Sequence, residues 1–462
     1  LAAPRLGAAE TARDWWLLET SKERSVRLVI HPAGASKPAM KYHLLPEFLD
    51  RLPGNAAVDY GKVTAEHMTL FGNHEWLQKN MHDRLGMPLE ELRGMKIDWA
   101  NVLDDIERGG RREYCDWQLP IRTESLYSIL LPEVQQSREF ARLVALRARV
   151  QVADGQYDEA VKTLQSGYAL ARNVARGPTL VQGLVGIAIA GMMDHCVFEM
   201  AQQPGAPNLY WALTSLPQPL IDLREAMEAE ANSVYLMWPE LREVETSTRG
   251  SEYWRETFEK FWKGFLEIMD NSGPSGLARR PEVAMTVCLK GYPIAKERLI
   301  AAGMPAERIE AMPVPQVVLL YTMRTYEQFR DESFKWFYVP YWQGCEGLKR
   351  VEREYKAART EGREVVPIAQ TLLPAIGAVH QAAARSERAI AVLRLIEALR
   401  IYGAAHEGRL PDTLNDLTEV PVPIDPFTGK PFEYRREGDR AIIEGPPMPG
   451  LLLKLEIQMA GK

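Results

Sequence analysis

Cysteine is scarce. The 462 residues contain four, Cys115, Cys196, Cys288 and Cys345, far apart and without a C-x-x-C pair or a Cys/His spacing that grips zinc. A zinc ribbon is excluded, while buried free thiols and one or two disulfides both stay open. Positive charge is not in excess either: 56 Lys and Arg face 62 Asp and Glu, a formal net charge of -6. Nucleic acid is therefore not an expected partner, because phosphate neutralisation needs a broad basic surface. Long apolar runs are missing too. The longest, TLVQGLVGIAIAGMM at residues 179–193, is short of the roughly 20 residues that span a bilayer. It reads as a buried helix, and no transmembrane segment is expected. A G-x-S-x-G elbow and a Gly-rich phosphate loop are also absent from the sequence, so its motifs point to neither a serine hydrolase nor a P-loop enzyme.

What is present is an ordinary globular mixture, 46% apolar and 26% charged, in a chain long enough for several domains or a helical array. Residues 1–130 read as an irregular, partly helical region with turn words such as HPAGASKP and LPGNAA. The small-residue start, LAAPRLGAAE, matches the flank left by signal cleavage and leads to the expectation of an exported protein. Residues 131–365 read as a helical body. Within it Gly183, Gly186 and Ala190 share a helix face that lets a neighbour approach closely, and Trp254, Phe258, Phe261 or Trp262, and Phe265 form an aromatic stripe at helical spacing. Residues 366–462 read as a long helix that stops near His406, Glu407 and Gly408. A short helix beginning at Pro411 and a hairpin turning at Gly438 and Asp439 then follow, with no strand-rich segment expected before residue 420.

Candidate chemistry is sparse. His67, His74 and Glu75 in EHMTLFGNHEW form the most metal-like group, but a separation of seven puts the histidines two helical turns apart, too far for the i, i+4 grip of zinc hydrolases. Asp425, near Thr428, fits a turn cap or, as in some loops of the pseudopilin-like proteins that PIDPFTGKPFEY resembles, a place beside a calcium ion. No metal and no cofactor are expected. His195 and Cys196 are adjacent on a helix and so point about 100° apart rather than towards each other. The aromatic group Trp336, Phe337, Tyr338, Tyr341 and Trp342 is the candidate partner-binding surface, since flat rings dominate interfaces; they dominate cores as well.

Three resemblances attach to these residues. Gly155, Tyr157 and Ala160 in GQYDEA, with small residues at Ala148 and Gly167, resemble the turn and second helix of a tetratricopeptide repeat. Gln151 and Arg172 depart from that pattern. RIYGAAHEGRLPDTLNDL and PIDPFTGKPFEYRREGD, through Arg409, Leu410, Pro411, Asp425, Pro426, Phe427, Gly429, Pro431 and Tyr434, resemble the globular part of type II secretion pseudopilins and related pilin-like proteins. The preceding helix differs from a pilin's apolar first helix: it is internal and carries Arg385, Glu387, Arg388 and Arg394. PNLYWALTSLPQPLIDLR and the chain's ending resemble a planctomycete-type family of exported helical proteins, a resemblance that implies no reaction.

The expected fold is mainly α: a helical-repeat-like body, an irregular α-solenoid or multi-helix array, followed by a small C-terminal α+β module. The expected function is a non-catalytic exported scaffold or adaptor mediating protein–protein interaction in a cell-envelope or filament-like assembly, its partners other proteins in a homo- or hetero-oligomer. The alternative is a carbohydrate-binding protein or hydrolase with a site near the aromatic-rich helices.

Overall fold

The computed structural model describes residues 26–67, 71–97, 99–121, 129, 131–269, 280–373, 375–446 and 454–460. The stretch behind the expectation of export lies outside them. The chain forms two compact units that interleave in sequence. One is built on Met227–Gln381; the described residues of the other come from 26–118, 131–226 and 382–460.

The interleaved unit opens with strands β1 (Val26–Ile30) and β2 (Leu52–Asn55), helices α1 (Ala56–Glu66) and α2 (Ala100–Gly110), and strand β3 (Arg112–Tyr114). Helices α3 (Pro132–Ala153), α4 (Tyr157–Ala175) and α5 (Leu180–Ala201) follow and pack on one another. The expected repeat-like hairpin is α3 and α4. Its turn is closed by the Gln156 amide donating to the Gln151 carbonyl at 2.8 Å, with Gly155 at φ +74°, the left-handed geometry that a residue without Cβ adopts freely.

Helix α5 extends the apolar run to 22 residues, which is long enough to cross a bilayer. Length therefore does not separate it from a membrane span, contrary to the reading of the shorter run. Val185, Ile189, Met193 and Val197 are buried, and α5 lies against both α3 and α4. A Cβ on Gly186 would sit 2.6 Å from the Ala171 carbonyl oxygen, so the small-residue face brings α5 and α4 backbones together as expected.

The Met227–Gln381 unit contains α6 (Ser251–Met269), α7 (Pro281–Ala301), α8 (Val314–Phe334) and α9 (Tyr341–Thr360). The aromatic stripe of α6 resolves to Trp254, Phe258, Phe261 and Phe265, all buried, with Trp262 at its edge. Full burial of such a ring contributes roughly 1.5–3 kcal/mol, and four in register hold α6 against α7 and α8.

Helix α10 (Ala375–Ala405) ends where expected. The Gly408 amide donates to the Gly403 carbonyl at 2.7 Å, and Glu407 and Gly408 take positive φ. The short helix after it is a 3-10 turn, Leu414–Asp416, begun not by Pro411 but by Thr413, whose side chain and that of Asp416 form a capping box. Strands β4 (Glu433–Glu437) and β5 (Arg440–Glu444) make the expected hairpin, and β6 (Lys454–Met459) completes a sheet of order β1–β6–β5–β4.

Before residue 420, where no strand-rich segment is expected, three short strands occur, β1, β2 and β3. The β1 strand runs parallel to β6 with Val26 opposite Leu455 and Ile30 opposite Met459, and a second, two-stranded sheet joins β2 to β3. Leu28, Ile30, Leu455 and Ile457 are buried. The sheet rests on α10, where a Cβ on Gly403 would meet Met459 Sδ at 3.1 Å.

Candidate functional site

A cleft of about 590 Å³ opens in the interleaved unit. Its wall is built by the last two turns of α4, the C-terminus of α2 with β3, the loop at residues 40–51, and residues 215–217. Gly110 ends α2 so close to α4 that a Cβ there would lie 3.3 Å from Ala169 Cβ and 3.4 Å from Ser166 Cα. That approach puts Arg112 and Glu113 on the same wall as Arg172 and Arg176. Arg172, in the last turn of α4, and Arg176, its C-cap, stand four apart and so lie on one side of the helix end. Arg51 joins them from the far end of the 3-10 turn Phe48–Asp50.

The cationic groups differ in how they are engaged. Arg112 is committed to protein: its Nε donates to Asp59 Oδ2 at 2.6 Å, which raises its pKa, and Nη1 donates to the Pro53 carbonyl at 2.5 Å. Arg176 spends one N–H on the Glu113 carbonyl at 3.4 Å. The side chains of Arg172 and Arg51 make no hydrogen bond or ion pair among the described residues. Burial, followed by the charges of Arg176 and Arg51, holds the Arg172 guanidinium below its ordinary pKa.

Two wall groups that could do chemistry are each tied elsewhere. Ser215 donates its hydroxyl to the Ala212 carbonyl at 2.9 Å, and His43 Nε2 lies 3.4 Å from Glu47 Oε1. Phe48, on the cleft wall, is 80% exposed, and Leu49, next in the chain, is 92% exposed.

The aromatic group expected to bind partners divides. Phe337 and Tyr341 pack around His380, with ring centroids 4.4 Å and 5.2 Å away, and Trp336 is covered by Gly344 and Gly347 of α9. Tyr338 and Trp342 face outward, 78% and 41% exposed. The other candidates do not assemble. Helix α1 ends at Glu66, with His67 as its cap, and a separate short helix begins at His74, so no single helix carries both histidines. Asp425 is buried, accepting from Arg388 Nη2 at 2.7 Å and from the Phe427 amide at 2.9 Å. Among the described residues no three His, Cys, Asp or Glu side chains converge where a metal ion could be held. All four cysteines are free; burial pushes the Cys115 and Cys288 thiols up to about 12 and that of Cys196 higher. Those three buried thiols are poor nucleophiles at neutral pH.

Sequence reasoning missed the cleft. A faint signal existed in ALARNVARG: two arginines at i, i+4 with no acid three or four residues from Arg172 on its own helix. No signal marked Arg51.

His380 and Glu364, both in the Met227–Gln381 unit, support a pH prediction. Burial lowers His380 from 6.5 to about 4. The unfolded chain then takes the proton first, and stability falls as pH drops through 6.5 towards 4. Burial raises Glu364 from 4.5 to about 7. Its folded form keeps the proton longer, so stability is lost as pH rises from 4.5 through 7. The two limbs oppose and largely cancel. Glu364→Gln should match wild type below pH 4.5 and exceed it above pH 7, by roughly 1–3 kcal/mol. Urea unfolding across that range checks it; parallel curves would contradict it.

No protein-family model, no curated protein and no solved structure matches the chain. The functional reading therefore rests on the geometry above.

Proposed function

We propose that the protein is a non-catalytic scaffold or adaptor that holds another protein against its helical-repeat body, with the arginine cleft as the seat and Phe48 and Leu49 as an apolar lip. The make-up of the cleft supports this reading. Its wall offers the Arg51 and Arg172 guanidiniums, without protein partners among the described residues, beside Phe48, with Leu49 next in the chain and both held out in water, the pairing of charge with apolar anchor that interfaces use. Ser215 and His43, the groups best suited to chemistry, are engaged away from each other, which favours holding over reacting.

The test is a photo-crosslinking residue at position 49 of the full chain, expressed in its own cells, with a second residue at exposed Val58 as control. A defined adduct at position 49, absent at 58 and lost when Phe48 is changed to Ser, is expected. Equal labelling at both positions, or an adduct indifferent to Phe48, counts against the reading.

A further inference from the structure

We propose that the cleft formed by Arg51, Arg172 and Arg176 receives a phosphate monoester group. This deepens the reading of the cleft as a binding site and rests on it. Three guanidiniums share one concave wall, and like charges four apart on a helix repel. In this cleft the protein does little to relieve that repulsion. Asp59 is taken by Arg112, Glu47 faces His43 at 3.4 Å, and Glu113 offers Arg176 its backbone carbonyl at 3.4 Å. The side chains of Arg172 and Arg51 have no partner among the described residues. The lining therefore carries four arginines, Arg51, Arg112, Arg172 and Arg176, against the two carboxylates of Glu47 and Glu113, an excess of positive charge.

The number of guanidiniums indicates which anion. A single carboxylate is satisfied by one arginine fork, whereas a phosphoryl group presents three oxygens and up to two charges and suits several forks at once. Size adds a second constraint. About 590 Å³ exceeds what an inorganic ion fills and lies within the range of small-molecule sites, which leaves room for the group that carries the phosphate. Two carriers share this chemistry: a free small ester, or a phosphorylated side chain of the protein partner.

The experiment is calorimetric titration and thermal unfolding of the full chain at constant ionic strength. The probes are inorganic phosphate, a hexose phosphate and a phosphoserine peptide, with acetate and chloride as controls. The phosphorylated probes should bind and raise the unfolding temperature while acetate and chloride do not. Arg172→Gln and Arg51→Gln should each weaken binding about tenfold, and unliganded Arg172→Gln should unfold at or above the wild-type temperature because a repulsion is removed. A hexose phosphate that binds more tightly than the peptide identifies a free ester; the reverse identifies a phosphorylated partner. No preference over acetate and chloride, or binding unchanged in both variants, overturns the proposal. Phosphate binding that survives while crosslinking at position 49 fails would remove the adaptor reading alone. Crosslinking without phosphate preference would remove this one alone.

Discussion

Replacing Arg400 with Met should destabilise the interleaved unit by about 3–5 kcal/mol, the usual result of stranding a buried charge and its partners. Arg400 is fully buried in α10 and every donor it uses is directed at a protein acceptor. Nε donates to the His31 carbonyl at 2.9 Å, Nη2 to the Ala206 carbonyl at 2.7 Å, and Nη1 to the Pro207 carbonyl at 3.1 Å and to both oxygens of Glu397 at 2.9 Å. One side chain thus joins α10, the segment after β1 and the loop after α5. Without it Glu397 is left buried with no counter-charge, and its pKa, already raised by burial against the pull of Arg400, rises further. Urea unfolding followed by circular dichroism would show the loss. The double variant Arg400→Met with Glu397→Leu should recover much of it, because an apolar pair of similar volume removes the stranded carboxylate. A single variant that loses less than about 1 kcal/mol, the worth of an exposed pair, would show that the clamp is not holding these segments.

Asp425→Asn should cost about 3 kcal/mol or more. The side chains of Arg388 and Asp425 are 4% and 2% exposed and meet at 2.7 Å. Arg388 Nε and Nη1 have no hydrogen-bond partner among the described residues, and the guanidinium stacks 4.8 Å from the Phe427 ring centroid. Asp425 is the only carboxylate paired with Arg388 among those residues. Asparagine keeps the acceptor for the Phe427 amide and so preserves the turn that the Asp425 carbonyl closes with Thr428 and Gly429. The loss then reports the charge alone. Asp425→Ala should cost more by about 1 kcal/mol, a typical worth for the cap bond. Arg388→Met placed on Asp425→Asn should restore stability; a double variant no better than the single one would mean that the turn, not the ion pair, carries the effect.

The parts of this fold that could be read from sequence are those encoded locally. The α6 stripe, the Gly155 turn, the small-residue face of α5, the stop at Gly408 and the hairpin at Gly438 each depend on residues within one or two turns of each other. What could not be read depends on meetings across the chain. VRLVI at Val26–Ile30 is too short to announce a strand and becomes one because Leu455 and Ile457 offer an apolar edge to it. The Phe337, Tyr341 and His380 cluster needed the return of the chain at α10 to decide which rings are covered. The cleft needed Arg51, from an irregular stretch, to meet α4. Asp425 was legible as a turn residue but not as an ion-pair partner, because Arg388 lies on a helix whose sequence pattern does not reveal which of its arginines is buried.

The pairing of β1 with β6 also sets an order of assembly. Among the described residues β1 is an edge strand of the sheet with β6 as its one neighbour, and Val26 meets Leu455. During synthesis on the ribosome, Leu28 and Ile30 must wait for residues 454–459 before their strand has a template, and so long a loop closes slowly. Met227–Gln381 is a single stretch of chain and can collect its contacts as it emerges, in the domain-wise manner of large chains. The nascent chain therefore carries an unpaired apolar strand until residues 454–459 emerge.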